Sequence, residues 1–272
     1  MILRDNEVYK TCDNIELNIT RDVVENAKAV ILIVHGLAEH SGRYDYVASK
    51  LNDYRYSVYR FDNRGHGKSG GEKIYIDDYN KFPSDVDEMV DLIKKENEGK
   101  SVFIIGHSMG AMIATLYGIK YQNKVDGIIL SAGVTADKAG LMSSNNKLDP
   151  HEMIDNVFSH LISKNQEIVD AYNNDPLVAQ KISGSMFIEC DKAVEFIKGN
   201  SNDFNYPALI LHGAEDQIVY PEDSKILFAN IGSRYKKVKI YQGMYHEILN
   251  EFNRDEVLVD INDWMRKELK YK

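Results

Sequence analysis

The sequence predicts an α/β protein with a mainly parallel central sheet flanked by helices, and two observations support this class. Short apolar runs rich in β-branched residues recur along the chain and are continuous rather than alternating, which is typical of strands covered on both faces. Helical patterns separate these runs, and strands that alternate with helices favour parallel pairing in a doubly wound arrangement. The predicted strands cover residues 30–34, 57–61, 102–105, 127–130, 208–211 and 238–241.

The remaining core elements are three helices and an opening hairpin. Helical patterns cover residues 44–52, 84–97 and Met109–Lys120, and Ser84 has the residue type of an N-cap for the second helix. Residues 8–20 contain two short alternating stretches around Asp13-Asn14, a pair typical of turns. We therefore expect the chain to open with a β-hairpin.

The alternation of strands and helices stops between Val134 and Tyr206. Charged stretches with helical patterning occupy residues 151–164, 165–172 and 191–198, and no segment in this part resembles a strand. We predict a core of residues 1–133 and 207–272 that carries residues 134–206 as a helical cap. Ligands bind at the carboxyl ends of the strands in such sheets, so we expect the cap to cover a ligand site; peripheral packing is the alternative.

Composition excludes several classes of protein. The 272 residues, 43% of them apolar, suffice for a packed interior. A net charge of −9 argues against binding to nucleic acid or anionic lipid, because both require clustered Lys and Arg. Cys12 and Cys190 lack the spacing of a disulfide framework or a zinc site. The longest apolar run, Ala29–Val34, is too short to span a membrane, and residues 1–10 lack the apolar stretch of a signal peptide. We therefore expect a soluble cytoplasmic protein.

A candidate nucleophile lies in the run Gly106-His107-Ser108-Met109-Gly110. A predicted strand precedes this run and a predicted helix follows it, which is the context of a G-x-S-x-G nucleophile elbow. The glycines at this spacing allow backbone segments to approach a serine that is held in a strained turn with positive φ. We therefore predict that Ser108 is the nucleophile.

A serine hydroxyl needs a base, and the base needs a third group that orients it. In this type of sheet the order along the chain is serine, acid and histidine, and among the eight histidines only His246 follows every plausible acid. For the acid we favour Asp216, which comes just after the strand at 208–211, with Glu215 and Asp223 as competitors. The backbone N–H groups of Met109 and Leu37 are the predicted oxyanion donors, because both follow strands that end near the elbow.

Several other residues have a structural interpretation and a functional one. We expect His35 to fix its loop by a hydrogen bond, and His66 and His107 to be structural. Arg64 is expected to form a buried ion pair with a nearby carboxylate. A group of apolar side chains in the cap could line a flexible pocket for an acyl chain or simply pack between helices, and the sequence favours neither: Met142, Met153, Met186, Phe158 and Phe187.

Longer motifs add a family resemblance. The elbow, the loop 35–44 (His-Gly-Leu-Ala-Glu-His-Ser-Gly-Arg-Tyr) and the run 62–69 (Asp-Asn-Arg-Gly-His-Gly-Lys-Ser), together with Asp216 and His246, resemble the monoacylglycerol lipase and lysophospholipase family of α/β-hydrolases. The resemblance covers about residues 15–133 and 205–265, and within the cap only Asn174-Asp175-Pro176-Leu177 aligns with it.

The resemblance implies an α/β-hydrolase fold and a serine ester hydrolase that works through an acyl-enzyme, without metal or cofactor. Ser108, Asp216 and His246 would form the triad, and Leu37 and Met109 would bind the oxyanion. The expected partner is a small ester with an apolar acyl group, most simply a monoacylglycerol. The alternatives are an esterase for short-chain or hydroxycinnamoyl esters, a peptidase, thioesterase or acyltransferase, and a ligand-binding protein that keeps the fold without turnover.

Overall fold

The computed structural model describes residues 2–270, which form ten strands and seven α-helices. Residues 1, 271 and 272, at the ends of the predicted core, lie outside this range. The strands are β1 (Ile2–Lys10), β2 (Glu16–Val24), β3 (Ala29–Val34), β4 (Tyr56–Phe61), β5 (Val102–His107), β6 (Gly127–Ser131), β7 (Met153–Asp155), β8 (Lys181–Ser183), β9 (Ala208–Gly213) and β10 (Lys236–Tyr241). The helices are α1 (Asp45–Asp53), α2 (Lys81–Glu96), α3 (Met109–Lys120), α4 (Gln166–Asn174), α5 (Gly184–Asn200), α6 (Pro221–Asn230) and α7 (Arg254–Glu268).

Eight of the strands form one sheet in the order β1-β2-β4-β3-β5-β6-β9-β10. The pairs from β4 to β10 are parallel, whereas β1 pairs with β2, and β2 with β4, in antiparallel fashion. The predicted class, the six predicted strands and the opening hairpin are therefore confirmed. In the β3–β5 pair Val34 lies opposite Gly106, so the loops that follow these two strands leave the sheet side by side.

Apolar residues cover both faces of the sheet at β3, which explains why this strand is apolar throughout. Along β3, Val30 and Leu32 face the cluster that includes residues of α2 and α3, whereas Ile31 and Ile33 face the cluster that includes residues of α1 and α7. All four side chains are at most 1% exposed. Burial of one such side chain contributes about 1.5–3 kcal/mol, which favours apolar residues at every position of β3.

The predicted helices α1 and α3 are confirmed, but the predicted start of α2 is wrong. Ser84 is not its N-cap; the helix begins at Lys81, so Pro83 lies inside the first turn. Proline is tolerated there because the N–H groups of a first turn have no partner within the helix. Within residues 2–270 no helix combines the length and the apolar character that crossing a bilayer requires.

The segment 134–206 connects β6 to β9 and is less helical than predicted. The stretches 165–172 and 191–198 lie in α4 and α5, as expected. The predicted helix at 151–164 is wrong, because this stretch contains β7 and a single 3₁₀ turn at Ser159–Leu161. Strand β7 pairs with β8 in antiparallel fashion, with Ile154 opposite Ile182. Local periodicity does not indicate a pairing between stretches as far apart in the sequence as 153–155 and 181–183. The charged, helix-patterned stretch was therefore predicted to be a helix.

Candidate active site

Ser108 lies at the sharp turn from β5 into α3. Its backbone has φ 54° and ψ −120°, in the left-handed half of the map that side chains other than glycine rarely adopt. The turn is held because the Ser108 N–H donates to the Ser131 carbonyl of β6 at 2.9 Å, and the Ser108 carbonyl accepts from the N–H of Met112 at 3.1 Å. Strain of this kind persists only where the surrounding structure enforces it.

The two glycines of the elbow allow backbone segments to approach closely. A Cβ on Gly106 would overlap the Gly110 carbonyl, and a Cβ on Gly110 would overlap the Val34 carbonyl at the end of β3. Glycine is therefore required at these two positions because a side chain would overlap neighbouring backbone atoms, and not because of the backbone dihedral angles. The elbow consequently packs directly against the end of β3, where the loop with Leu37 begins.

The three predicted site residues lie in one chain of hydrogen bonds. His246 Nε2 is 2.9 Å from Ser108 Oγ, and His246 Nδ1 is 2.7 Å from Asp216 Oδ2. Since a carboxylate only accepts, Nδ1 carries the proton and Nε2 faces the serine with its lone pair. The arrangement suits proton transfer from Ser108 to His246 with Asp216 orienting the imidazole.

The two competing carboxylates serve other purposes. The Glu215 side chain is half exposed and forms an ion pair with Lys164 at 2.7 Å. Asp223 is fully buried and accepts four backbone N–H groups, from residues 135–138, at 2.8–2.9 Å. Asp223 therefore fixes the chain where it leaves β6 for the segment 134–206, and Asp216 is the only one of the three that contacts His246.

Electrostatics keep the Asp216–His246 pair ready for proton transfer. Burial opposes ionisation of Asp216, but the charge of His246 and hydrogen bonds from His212 and His246 outweigh it and lower the pKa of the carboxyl. Burial would also lower the pKa of His246, yet the Asp216 charge and hydrogen bond, followed by the charges of Glu247 and Glu39, raise it above the ordinary 6.5. The negative surroundings thus favour the protonated, imidazolium form of His246.

The two predicted oxyanion donors belong to residues that line the same cavity as Ser108. Within residues 2–270 neither the Leu37 nor the Met109 N–H donates to a protein acceptor, so both are available to a ligand. Met109 is also the first residue of α3, whose N-terminus favours negative charge.

His35 fixes the loop that carries Leu37, as predicted. The Asn63 N–H donates to His35 Nε2 at 2.8 Å, so the proton is on Nδ1, which donates to the Gly36 carbonyl at 2.8 Å. Burial lowers the pKa of His35 and keeps the ring neutral. The loop geometry therefore depends on one imidazole tautomer.

A buried ionic cluster lies next to His246 and was missed by the sequence analysis. Arg43 donates to both carboxylate oxygens of Glu247 at 2.6 and 2.8 Å and to Glu39 Oε2 at 2.8 Å. Burial would raise the pKa of Glu39, but the Arg43 charge outweighs it and lowers the pKa to about 2. Glu39 Oε1 in turn accepts the Gly36 N–H at 2.6 Å, which joins the cluster to the loop that carries Leu37. The signals in the sequence were Glu39 and Arg43 within the loop 35–44 of the family resemblance and the adjacency of Glu247 to His246.

Apolar side chains form most of the cavity around Ser108, and many of them come from the segment 134–206. The apolar lining includes Val134, Leu141, Met142, Phe158, Ile162, Ile182, Ile218 and Val219, and the polar lining includes Glu39, His107, Asn156, Tyr172 and Glu247. The five cap side chains that the sequence assigned neither to a pocket nor to helix packing have different surroundings. Met142 and Phe158 line the cavity, Met186 and Phe187 are buried in the core, and Met153 is 44% exposed.

The segment 134–206 is tied to the loop that carries His246. The Glu247 N–H donates to the Ile162 carbonyl at 2.7 Å. The Glu251 carboxylate accepts the Ser163 hydroxyl and the Lys164 N–H, both at 3.1 Å. A further contact, of His40 Nε2 with Asp175 Oδ2 at 2.8 Å, joins the loop 35–44 to the segment 134–206.

Arg64, His66 and His107, which the sequence predicts to be structural, are held by contacts with neighbouring residues. Arg64 donates to Asp85 at 2.7 Å and to Asp13 at 2.8 Å, which confirms the predicted ion pair. His66 is fully buried and bonds the Arg64 carbonyl at 3.0 Å through Nδ1. His107 packs against the His246 ring at a centroid distance of 4.8 Å, and burial with the neighbouring His246 charge lowers its pKa to about 4.

Comparison with known proteins places this geometry in a family. The family described as serine aminopeptidase, S33, matches residues 25–253, which is most of the chain. The chain belongs to this family of α/β-hydrolases. Human monoglyceride lipase is 31% identical over 249 residues, which cover 88% of this chain and 82% of that protein. The monoacylglycerol lipase of Mycolicibacterium smegmatis is 29% identical over 250 residues, which cover 89% of each protein.

A solved structure agrees with these relatives. The crystal structure of the monoacylglycerol lipase from Paleococcus ferrophilus superposes with a TM-score of 0.82 at 26% identity, covering 96% of this chain and 99% of that chain. The predicted resemblance to monoacylglycerol lipases and the α/β-hydrolase fold are therefore confirmed.

Proposed function

We propose that this protein is a serine hydrolase of carboxylic esters and that its substrate is a monoacylglycerol or a similar lipid ester with one acyl chain. The observation that carries the proposal is the unbroken chain of hydrogen bonds from Ser108 through His246 to Asp216 beside a largely apolar cavity. The names of the lipase relatives support the same substrate class.

In the first half of the reaction Ser108 Oγ attacks the ester carbonyl carbon while its proton passes to His246 Nε2. The negative oxygen of the tetrahedral intermediate accepts hydrogen bonds from the Leu37 and Met109 N–H groups. When the intermediate collapses, the bond to the alcohol breaks and His246 returns the proton to the departing alkoxide. Asp216 keeps its negative charge throughout and stabilises the imidazolium.

In the second half water replaces the alcohol. His246 Nε2 takes a proton from the water as its oxygen attacks the acyl-serine carbonyl, and the same two N–H groups bind the second oxyanion. Collapse breaks the bond to Ser108 Oγ, which regains its proton from His246, and the fatty acid is released. The two halves of the reaction need no reactant other than the ester and water.

The apolar and the polar parts of the lining suggest where the acyl chain and the alcohol part of the substrate bind. The apolar side chains suit an acyl chain, and Met142 in particular can adapt to a flexible ligand. The polar lining contains the two carboxylates Glu39 and Glu247, which share the single guanidinium of Arg43 and leave a net charge of −1. We therefore propose that the alcohol part of the substrate is uncharged, because a phosphate group would be repelled.

We expect kcat/KM for a neutral monoacylglycerol to rise with acyl length by roughly fourfold for each methylene that the cavity buries, since burial contributes about 0.8 kcal/mol per methylene. The measurement is a panel of monoacylglycerols from acetyl to oleoyl, with lysophosphatidate, methyl ferulate and a peptide anilide included. A preference for ferulate or for the anilide would replace the proposed substrate, and faster cleavage of lysophosphatidate would exclude an uncharged alcohol.

Two methionine variants show whether this length dependence arises in the cavity. Met142→Trp places extra volume in the lining and should shorten the preferred chain, whereas Met153→Trp, at an exposed position, should leave the preference unchanged. Equal effects of both variants would contradict the assignment of the cavity to the acyl chain.

The pH profile should have an acid limb above pH 6.5. His246 must be neutral to accept the proton of Ser108, and its pKa is raised, so kcat/KM falls as the pH drops through that raised pKa. Glu247→Gln removes a negative charge that favours the imidazolium and should move the limb to lower pH. The control is Glu195→Gln, which changes an exposed side chain paired with Lys198. A limb that Glu247→Gln leaves in place would contradict this account.

We also propose that residues 134–206 act as a cap over a core of residues 1–133 and 207–272, which is supported by their share of the cavity lining. A cytoplasmic location stays a prediction from the sequence.

A further inference from the structure

His212, the last residue but one of β9, contacts the same carboxylate oxygen of Asp216 as His246 does. Its Nε2 lies 3.0 Å from Asp216 Oδ2 and 2.9 Å from the Val219 carbonyl oxygen, and its Nδ1 lies 2.7 Å from Ser224 Oγ. The side chain is fully buried. His212 has no role in the proton transfers described above.

The neighbours of the ring determine which nitrogen carries its proton. A carboxylate oxygen and a carbonyl oxygen can only accept, so Nε2 must be protonated to face both of them. Ser224 Oγ can donate, so a neutral ring can accept from it at Nδ1. His212 is therefore a donor toward Asp216, with the proton on Nε2 fixed by its two acceptors.

With this donor every acceptor position of Asp216 is occupied. Oδ2 accepts from His246 Nδ1 and His212 Nε2, while Oδ1 accepts from the N–H groups of Ile218 and Val219 at 2.8 and 3.0 Å. A carboxylate offers about four lone-pair sites, so the group cannot rotate without losing bonds. Such bonds also favour the ionised form that the imidazolium needs.

We propose that His212 is a positioning residue for Asp216: its Nε2–H holds Oδ2 against His246 and sets how strongly the carboxylate attracts the proton of that ring. The proposal rests on the proposed function and adds a fourth side chain to the hydrogen-bonded chain. His212 does not touch substrate, and its effect passes through Asp216.

Three variants separate this role from a purely structural one. His212→Gln keeps a donor at the position of Nε2, His212→Leu removes it, and Ser224→Ala removes only the partner of Nδ1. We expect His212→Leu to lower kcat roughly 10- to 100-fold with little change in KM, because one hydrogen bond to a charged group is lost. His212→Gln and Ser224→Ala should stay within about threefold of the unmodified protein.

The pH profile supplies a readout that a structural role would not move. Without the His212 donor the Asp216 charge is less dispersed and attracts the imidazolium more strongly, so the acid limb of kcat/KM should move to higher pH in His212→Leu and stay in place in Ser224→Ala. A His212→Leu variant with unchanged kcat and limb, or a Ser224→Ala variant that loses as much activity, would overturn the proposal.

A measurement on the unmodified protein covers the case in which His212→Leu does not fold. ¹⁵N NMR of histidine-labelled protein should show a proton on Nε2 of His212, as its contacts with Asp216 and the Val219 carbonyl require. An Nδ1–H tautomer would overturn the proposal. Absence of Ser108-dependent turnover in the unmodified protein would instead remove the proposed function, so the two failures are distinguishable.

Discussion

Ser108→Ala is expected to lower kcat for monoacylglycerol hydrolysis by about 10⁶-fold, the loss typical of removing the nucleophile from a triad. The fold should persist, because alanine keeps the Cβ that the strained position at φ 54° already accommodates. The measurement is kcat on monoacylglycerol together with the melting temperature of both proteins.

The control is Ser84→Ala on α2, a serine that does not line the cavity. A fluorophosphonate that reacts with activated serines should label the unmodified protein and Ser84→Ala but not Ser108→Ala. Turnover that survives Ser108→Ala would refute the acyl-enzyme mechanism. Failure of the unmodified protein to take the label would favour a ligand-binding protein that has kept the fold.

Asp216→Asn is expected to lower kcat by about 10⁴-fold, because an amide in place of the carboxylate favours the wrong tautomer of His246 and no longer stabilises its charge. Asparagine is nearly isosteric with aspartate, so the change tests charge and proton placement rather than packing. The measurement is kcat at a pH above the acid limb, where His246 is neutral in both proteins.

Asp223→Asn is the matched control, since Asp223 is an equally buried carboxylate that competed for the same role. Four backbone N–H groups lose a charged acceptor, so we expect the free energy of unfolding to fall by roughly 2–4 kcal/mol while kcat of the folded protein changes less than tenfold. Urea unfolding and kcat measure the two effects. The reverse pattern, with Asp223→Asn inactive and Asp216→Asn active, would reassign the acid.

The core could be predicted because its signals are local. β3, which is buried on both faces, is apolar at every position, and a glycine-flanked serine between a strand and a helix has few other interpretations. The three site residues were found because chain order in this fold is restricted. Their side chains lie in contact as expected, while their catalytic roles stay predictions until the variants are measured.

What the sequence did not reveal depends on partners that are distant along the chain. The β7–β8 pair forms only because residues 153–155 meet residues 181–183, and each stretch is three residues long. The start of α2 was misplaced because Ser84 has the residue type of an N-cap, whereas the helix begins at Lys81 and accepts Pro83 in its first turn. The Arg43–Glu247 ion pair joins residues 204 positions apart, so neither residue could be matched to the other.

The hydrogen bonds between residues 162–164 and the loop of Glu247 and Glu251 matter to anyone who would redesign this scaffold. Excising residues 134–206 to obtain a smaller, open enzyme would also break these hydrogen bonds. The loop that carries the proposed base, His246, would then be less firmly held. Replacing residues 134–206 by the cap of another protein would have the same effect unless the new segment formed equivalent hydrogen bonds. Substituting individual residues of the cavity lining keeps these hydrogen bonds and is therefore the better route to new substrates.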